Sequence, residues 1–166
     1  MTYLITFSCY GARLHGDDCG SVDPKHNIPG DLPLEPNPSR VISERNRMLQ
    51  PPYLLDTQRR TLVLESLQET CAHYRWILLA VHVRTNHVHV VVEGAGRPER
   101  ILNAMKSYSS RRLNQAALDD PSCKRWSRHG STRYLWKPDQ VAKAIAYVMD
   151  QQGEPMAWYH DEQSCR

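Results

Sequence analysis

No run of about 18 or more apolar residues occurs in this chain, so no segment reads as a membrane span. The opening Met1-Thr-Tyr-Leu-Ile-Thr-Phe has neither a basic start nor a long apolar stretch, and it reads as a first strand rather than an export signal. No Cys-x-x-Cys pair is present. The five cysteines, Cys9, Cys19, Cys71, Cys123 and Cys165, are odd in number and scattered. That pattern argues against a zinc ribbon or a disulfide framework and points to a reducing cytoplasm. Internal repeats and low-complexity tracts are also missing. What remains is 166 residues, 40% hydrophobic and 23% charged, with mean hydropathy −0.60, which reads as one soluble domain large enough to bury a core.

The net charge of +3 hides an asymmetry. Between Arg97 and Lys137, ten basic residues face only Glu99, Asp119 and Asp120, a balance of +7 that leaves −4 for the rest. A basic segment in an otherwise mildly acidic chain suggests a face for a polyanion, although a solvated surface would have the same composition.

In chain order, residues 3–10 alternate and are rich in strand formers. From Gly11 to about Ser39, glycine, proline, aspartate and asparagine dominate, and a long loop is expected; long loops in compact domains often border sites. Ser39 caps a short helix to about Leu49, which Pro51-Pro52 ends. An amphipathic helix follows from Asp56 or Thr57 to Tyr74, then a buried strand over 76–83. Arg84-Thr85-Asn86 is too short for anything but a hairpin into a strand over 87–93. A helix over about 99–117, a basic loop, a strand over 131–136 and a helix over 138–152 complete the chain. The order strand, helix, strand, strand, helix, strand predicts an α+β, ferredoxin-like split βαβ fold: an antiparallel sheet with helices on one face, a loop-rich insertion over 11–56 and a C-terminal helix.

The strand over 87–93 carries His87-Val88-His89 followed by three valines. Period-2 geometry puts His87, His89, Val91 and Glu93 on one face and Val88, Val90 and Val92 on the other. Two neighbouring imidazoles can hold a divalent metal through neutral nitrogens, while a lone His-x-His is more often a solvent-face pair. Tyr108, the sole tyrosine of its helix, lies where an apolar stripe (Ile101, Met105) turns basic (Arg112), with Lys106 and Arg111 beside it. A phenol so placed could attack a phosphodiester, although an amphipathic tyrosine at a helix–sheet boundary is common.

These residues resemble a known family. Asn86-His-Val-His-Val-Val-Val resembles the HUH motif (histidine, bulky apolar residue, histidine) of single-strand-specific nucleases. Lys106-Ser-Tyr108 resembles the single-tyrosine helix of that superfamily. Arg133-Tyr-Leu-Trp136 and Ala146-Tyr-Val-Met-Asp-Gln-Gln-Gly153 resemble the C-terminal part of REP-associated tyrosine transposases, relatives of small insertion-sequence transposases. The resemblance covers residues 1–10 and about 57–153. It implies a metal-dependent nickase and strand transferase acting on single-stranded or hairpin DNA. His87 and His89 would hold Mg²⁺ or Mn²⁺, and Tyr108 would form a 5′-phosphotyrosine and leave a free 3′-hydroxyl. It also implies a third, polar ligand about one turn past the tyrosine. Arg112 stands there and cannot bind a cation, so Gln115, Glu93 or water is expected instead.

For DNA binding the expected residues are Lys106, Arg111, Arg112, Arg125 and Arg133, which would neutralise phosphates, and Trp126, the preferred base-stacking residue over Tyr134 and Trp136. Two other functions fit the sequence: a non-catalytic module binding single-stranded DNA or RNA, and a metal-dependent nuclease without a covalent step. Should Tyr108 prove dispensable, Tyr134 and Tyr147 are the next tyrosines to test. A monomer is expected.

Overall fold

The computed structural model describes residues 1–12 and 37–161. The loop expected over 11–39 therefore lies mostly outside the described residues. Among the described residues, nine elements follow in order: β1 (Thr2–Cys9), α1 (Pro38–Asn46), α2 (Thr57–Tyr74), β2 (Ile77–Val83), β3 (His87–Glu93), α3 (Pro98–Gln115), β4 (Trp126–Leu135), α4 (Pro138–Asp150) and β5 (Ala157–His160). The five strands form one antiparallel sheet in the order β4-β1-β3-β2-β5. The first four strands have the split βαβ arrangement read from the sequence. The strand β5, which the sequence reading lacks, extends the β2 edge; four residues after a Gly-Glu-Pro turn carry too short a pattern to see.

Alternation along the strands sorts the side chains. In β1, Tyr3, Ile5, Phe7 and Cys9 are buried, and Val88, Val90 and Val92 of β3 join them in one core with Val63, Leu67, Ile101, Met105 and Leu113 from α2 and α3. Connections of one hand link β1 to β2 and β3 to β4, and that shared hand puts both crossover helices on the same face. The other face carries a smaller core of Leu79, Ala80, Val91 and Leu135, covered by Ala144, Ile145 and Val148 of α4. The helices thus stand on one face as expected, and the C-terminal helix takes the opposite one.

Strand β2 is not regular. Leu78 lies opposite Val92 and Ala80 opposite Val91, so a bulge falls between them. The extra residue lets both Leu79 and Ala80 face α4. β4 also starts earlier than its composition suggests. It begins at Trp126, inside the stretch read as a basic loop, and Gly130 allows the pairing: a Cβ there would lie 2.7 Å from the Thr6 carbonyl oxygen.

A polar knot joins the segment after α1 to the rest. The Tyr53 hydroxyl donates to Asp119 Oδ2 (2.7 Å), Arg59 reaches Asp119 Oδ1 (2.7 Å), and Arg125, buried, lies 3.5 Å from Asp119 Oδ2. Burial pushes the Asp119 carboxyl up, but hydrogen bonds from Arg59 and Tyr53 with the charges of Arg59 and Arg125 hold it below the ordinary range. The same burial, with the bond to Asp119, pushes the Tyr53 phenol up to about 12. Cys9, Cys71 and Cys123 are free thiols. Among the described residues, no helix is long and apolar enough to cross a membrane.

Removing one partner from a buried ion network leaves uncompensated charge. Asp119→Ala should therefore cost about 3 kcal/mol in urea unfolding, while Lys143→Ala, which removes an exposed ion pair with Asp139, should leave the midpoint unchanged.

Candidate active site

The histidine strand folds as its pattern dictates. Val88, Val90 and Val92 enter the α2/α3 core, so His87, His89 and Val91 face the other way, toward α4. The two imidazole rings stand 4.8 Å apart between centroids. His87 is half-buried and His89 is buried. Asn86 Oδ1 lies 2.7 Å from His87 Nδ1. A carbonyl oxygen only accepts, so Nδ1 carries the proton and the lone pair of neutral His87 resides on Nε2. His89 Nδ1 lies 2.8 Å from the Thr6 hydroxyl, its cross-strand neighbour. A hydroxyl accepts as readily as it donates, so the same tautomer is open to His89. Hydrogen bonds of this kind orient histidines that ligate metals.

Helix α4 brings a tyrosine to these rings. Pro138 sits in its first turn, and the Gln140 side-chain oxygen accepts the backbone N–H groups of Trp136 and Lys137. Val141, Ala144, Ile145 and Val148 form the apolar stripe that lies on the sheet. Tyr147 stands next to that stripe, and its ring centroid is 5.4 Å from that of His89, edge to face. It keeps 38% of its surface exposed, so the ring is wedged without being sealed from solvent. Gln151 follows one turn later, at the end of the helix, with its N–H on the Tyr147 carbonyl.

A third histidine holds the arrangement from behind. His82 of β2 lies opposite His89, and it is 1% exposed. Its Nε2 accepts the Met156 N–H at 3.1 Å, which leaves Nδ1 to donate to the Val148 carbonyl at 3.1 Å. One neutral ring thus ties β2 to the end of α4 and to the turn that enters β5. Burial pulls the His82 imidazole below its ordinary pKa, with the Val148 bond opposing and the charge of Arg84 adding to the shift.

The other expected site residues are distributed differently. Tyr108 lies on α3, behind the sheet, where its hydroxyl is 3.5 Å from that of Tyr74, and Arg111 stacks over its ring at 4.8 Å. Helix α3 does not carry Tyr108 over the histidine face, because the shared hand of the crossovers commits α3 to the valine side. Gln115 shares that helix. Glu93 is on the histidine face but four residues from His89, ~13 Å at ~3.3 Å per residue. Neither reaches the imidazoles. Among the described residues, no group of three or more His, Cys, Asp or Glu side chains could hold a metal.

Several cations counted as DNA contacts serve the fold. Lys106 is buried, and its Nζ donates to the Ser127 and His129 carbonyls at 2.9 and 3.0 Å, anchoring β4 to α3; burial holds its amine below the ordinary pKa. Arg125 is held in the Asp119 knot, and Arg112 pairs with Glu65 (3.1 Å) and Glu69 (3.6 Å). Trp126 packs edge-on against Phe7, and its indole N–H donates to the Lys106 carbonyl and the Ser110 hydroxyl. Arg111 and Arg133 are exposed. Arg133 lies opposite Leu4 and so shares the histidine face, whereas Arg111 lies behind the sheet.

Sequence reasoning missed His82 and ranked Tyr147 below Tyr108. A glutamine one turn after Tyr147 was the available signal. For His82 there was none, because the β2 bulge decides which way it points.

A family model described as IS200-like transposase matches residues 47–146, ending one residue before Tyr147. No curated protein matches the chain. Among solved structures, a REP-associated tyrosine transposase bound to a REP hairpin aligns at 9% identity over 89% of this chain, with a TM-score of 0.48. This chain covers 63% of that protein. A candidate transposase of Deinococcus radiodurans R1 aligns at 13% identity over 91% of this chain and 90% of its own, with the same TM-score.

Because the folded state lowers the His82 pKa, its neutral-ring stabilisation is fully present above the unfolded value of about 6.5 and is lost as pH falls from there through the folded pKa. Thermal melts of the intact chain should show this loss, and His82→Ala, which removes the partner of the buried Val148 carbonyl and the part-buried Met156 N–H, should be less stable by about 2 kcal/mol at neutral pH and lack that part of the slope.

Proposed function

The chain belongs to the family of IS200-like transposases, and from that premise we propose that it nicks single-stranded DNA and transfers the cut strand, with Tyr147 as the nucleophile. One observation carries the choice of tyrosine: Tyr147 packs against His89, on the face where both imidazoles stand. Tyr108, given this role from the sequence, has the sheet between it and those rings.

In this reading His87 and His89 would ligate Mg²⁺ or Mn²⁺ through Nε2, with Nδ1 of each fixed by Asn86 and Thr6. The third, polar ligand implied by the family resemblance lies one turn past the tyrosine, and with Tyr147 in place that residue is Gln151. Its amide oxygen is a hard, neutral donor suited to such a cation, as Arg112 is not. A cation held there would polarise the non-bridging oxygens of the scissile phosphate. The Tyr147 phenol loses its proton to solvent and its oxygen bonds to phosphorus. The bond from phosphorus to the 3′ oxygen breaks, and that oxygen leaves as a hydroxyl after taking a proton. The 5′-phosphotyrosine conserves the phosphodiester energy, so a 3′-hydroxyl can reverse the step and join a new strand. Arg133, exposed on the same face, supplies a phosphate contact for the approaching strand.

A denaturing gel with end-labelled single-stranded and hairpin oligonucleotides tests this. Wild type and Tyr108→Phe should form a protein–DNA adduct that EDTA abolishes, and Tyr147→Phe should form none. An adduct retained in Tyr147→Phe and lost in Tyr108→Phe would overturn the assignment. Cleavage without adduct would indicate a hydrolytic nuclease, and binding without cleavage a non-catalytic module.

Gln151→Ala should leave DNA binding intact and raise the Mn²⁺ concentration for half-maximal cleavage roughly tenfold, the scale of a lost metal-site interaction. An unchanged metal titration would remove Gln151 from the ligand set.

A further inference from the structure

Trp126, the expected base-stacking residue, is committed to the fold, but β4 ends in a different aromatic arrangement. Tyr134 and Trp136 lie nearly parallel, 9° apart with centroids at 5.2 Å, and Tyr3 packs edge-on against Tyr134 at 5.1 Å. The Tyr3 hydroxyl is itself tied to the Gly96 carbonyl, so the base of the stack is rigid. Its top is open: Trp136 is 67% exposed and Tyr134 41%. Single exposed aromatics are ordinary on protein surfaces. Two held face to face at the end of an outer strand, on a braced third ring, leave a preformed flat surface uncovered.

The surroundings indicate what fits that surface. Lys137 follows Trp136 in the chain. Arg97 and Arg100 belong to the segment that Tyr3 bonds and to the start of α3, which reaches β4 through the Thr132–Glu99 hydrogen bond. All three cations are exposed, and none forms an ion pair among the described residues. Glu99 is the one acidic residue in the same segment. An apolar peptide or a second copy of this chain would have to bury that uncompensated positive charge. A polyanion with flat apolar rings would not.

We propose that Tyr134 and Trp136 form a stacking platform for an unpaired nucleobase, with Arg97, Arg100 and Lys137 holding the adjoining phosphates. The inference rests on the DNA-nicking reading for the identity of the strand, but it concerns a separate subsite. The row Thr6–His89 lies four residues along β1 from Thr2, which pairs with Leu135. At ~3.3 Å per residue and ~4.8 Å per strand, the platform is on the order of 16 Å from the imidazoles along the sheet, and the Tyr3–Tyr134 pairing puts it on the opposite face. The platform therefore takes a base several nucleotides away from the cut, and the dinucleotide at the cut does not reach it.

The test uses the intact chain and oligonucleotides that span the nick site, lengthened stepwise on the 5′ or on the 3′ side. Affinity should rise at one length on one side only, and that gain should be lost in Trp136→Ala, with roughly tenfold weaker binding of the long oligonucleotide and no change for the shortest. Trp136→Phe, which keeps a ring, should retain most of the gain. Melting temperature is measured for each variant, and Trp136→Phe keeps the test valid if the alanine variant fails to fold. A smooth gain on both sides, equal losses on short and long strands, or a change in sedimentation of the free protein with no change in DNA affinity would overturn the platform. Nicking of the shortest oligonucleotide is scored in parallel. If it persists with no length step, the platform fails and the nickase reading stands; if the step appears without nicking, the reverse holds.

Discussion

One neutral imidazole fixes the geometry on which the candidate site depends. His82 has its two nitrogens on opposite errands, one donating to the last turn of α4 and the other accepting from the turn that leads into β5. Without that ring, α4 would rest on the sheet through a small apolar stripe of Val141, Ala144, Ile145 and Val148. Apolar contact is non-directional, and it sets the depth of a helix better than its position along the axis. A hydrogen bond to the carbonyl of Val148 supplies what the stripe does not, and Val148 is the residue next to Tyr147. The placement of the tyrosine against His89 thus follows from a residue that touches neither substrate nor metal in the proposed chemistry.

The sheet divides labour between its faces. On the valine side, α2 and α3 cover a large core, and part of the basic segment is consumed by structure: Lys106 satisfies β4 carbonyls, Arg125 shares Asp119 with Arg59 of α2, and Arg112 bridges to α2. On the histidine side, a single helix covers part of the sheet and leaves a site open beside it. The positive charge that remains exposed is smaller than the composition suggests and is concentrated near the end of β4.

The sequence made the first half of this legible. Alternation of valine and histidine needs no tertiary information, so the face shared by His87 and His89 was readable, as was the hairpin forced by Arg84-Thr85-Asn86. The ordering of strands and helices sufficed for the fold. The choice between Tyr108 and Tyr147 was of another kind. Both tyrosines border the apolar stripe of an amphipathic helix, and nothing local says which side of the sheet each helix covers. That depends on crossover hand for α3 and on the return from an outer strand for α4. Charge counting failed at Lys106 and Arg125 for a related reason: their partners are backbone carbonyls and an aspartate whose proximity exists only in the folded chain.

The bulge in β2 has a consequence for inheritance. Upstream of it, Leu78 faces the valine core; downstream, the parity of the strand is inverted, so even-numbered His82 faces α4 and odd-numbered Val81 and Val83 face the core. The spare residue acts as a phase setting. Deleting it would leave every side chain of the strand's second half chemically unchanged and turn each one through the sheet, with an imidazole delivered to the apolar core and a valine to the end of α4. Substitutions in β2 can be absorbed one at a time, but its length cannot vary by a single residue without exchanging the two faces.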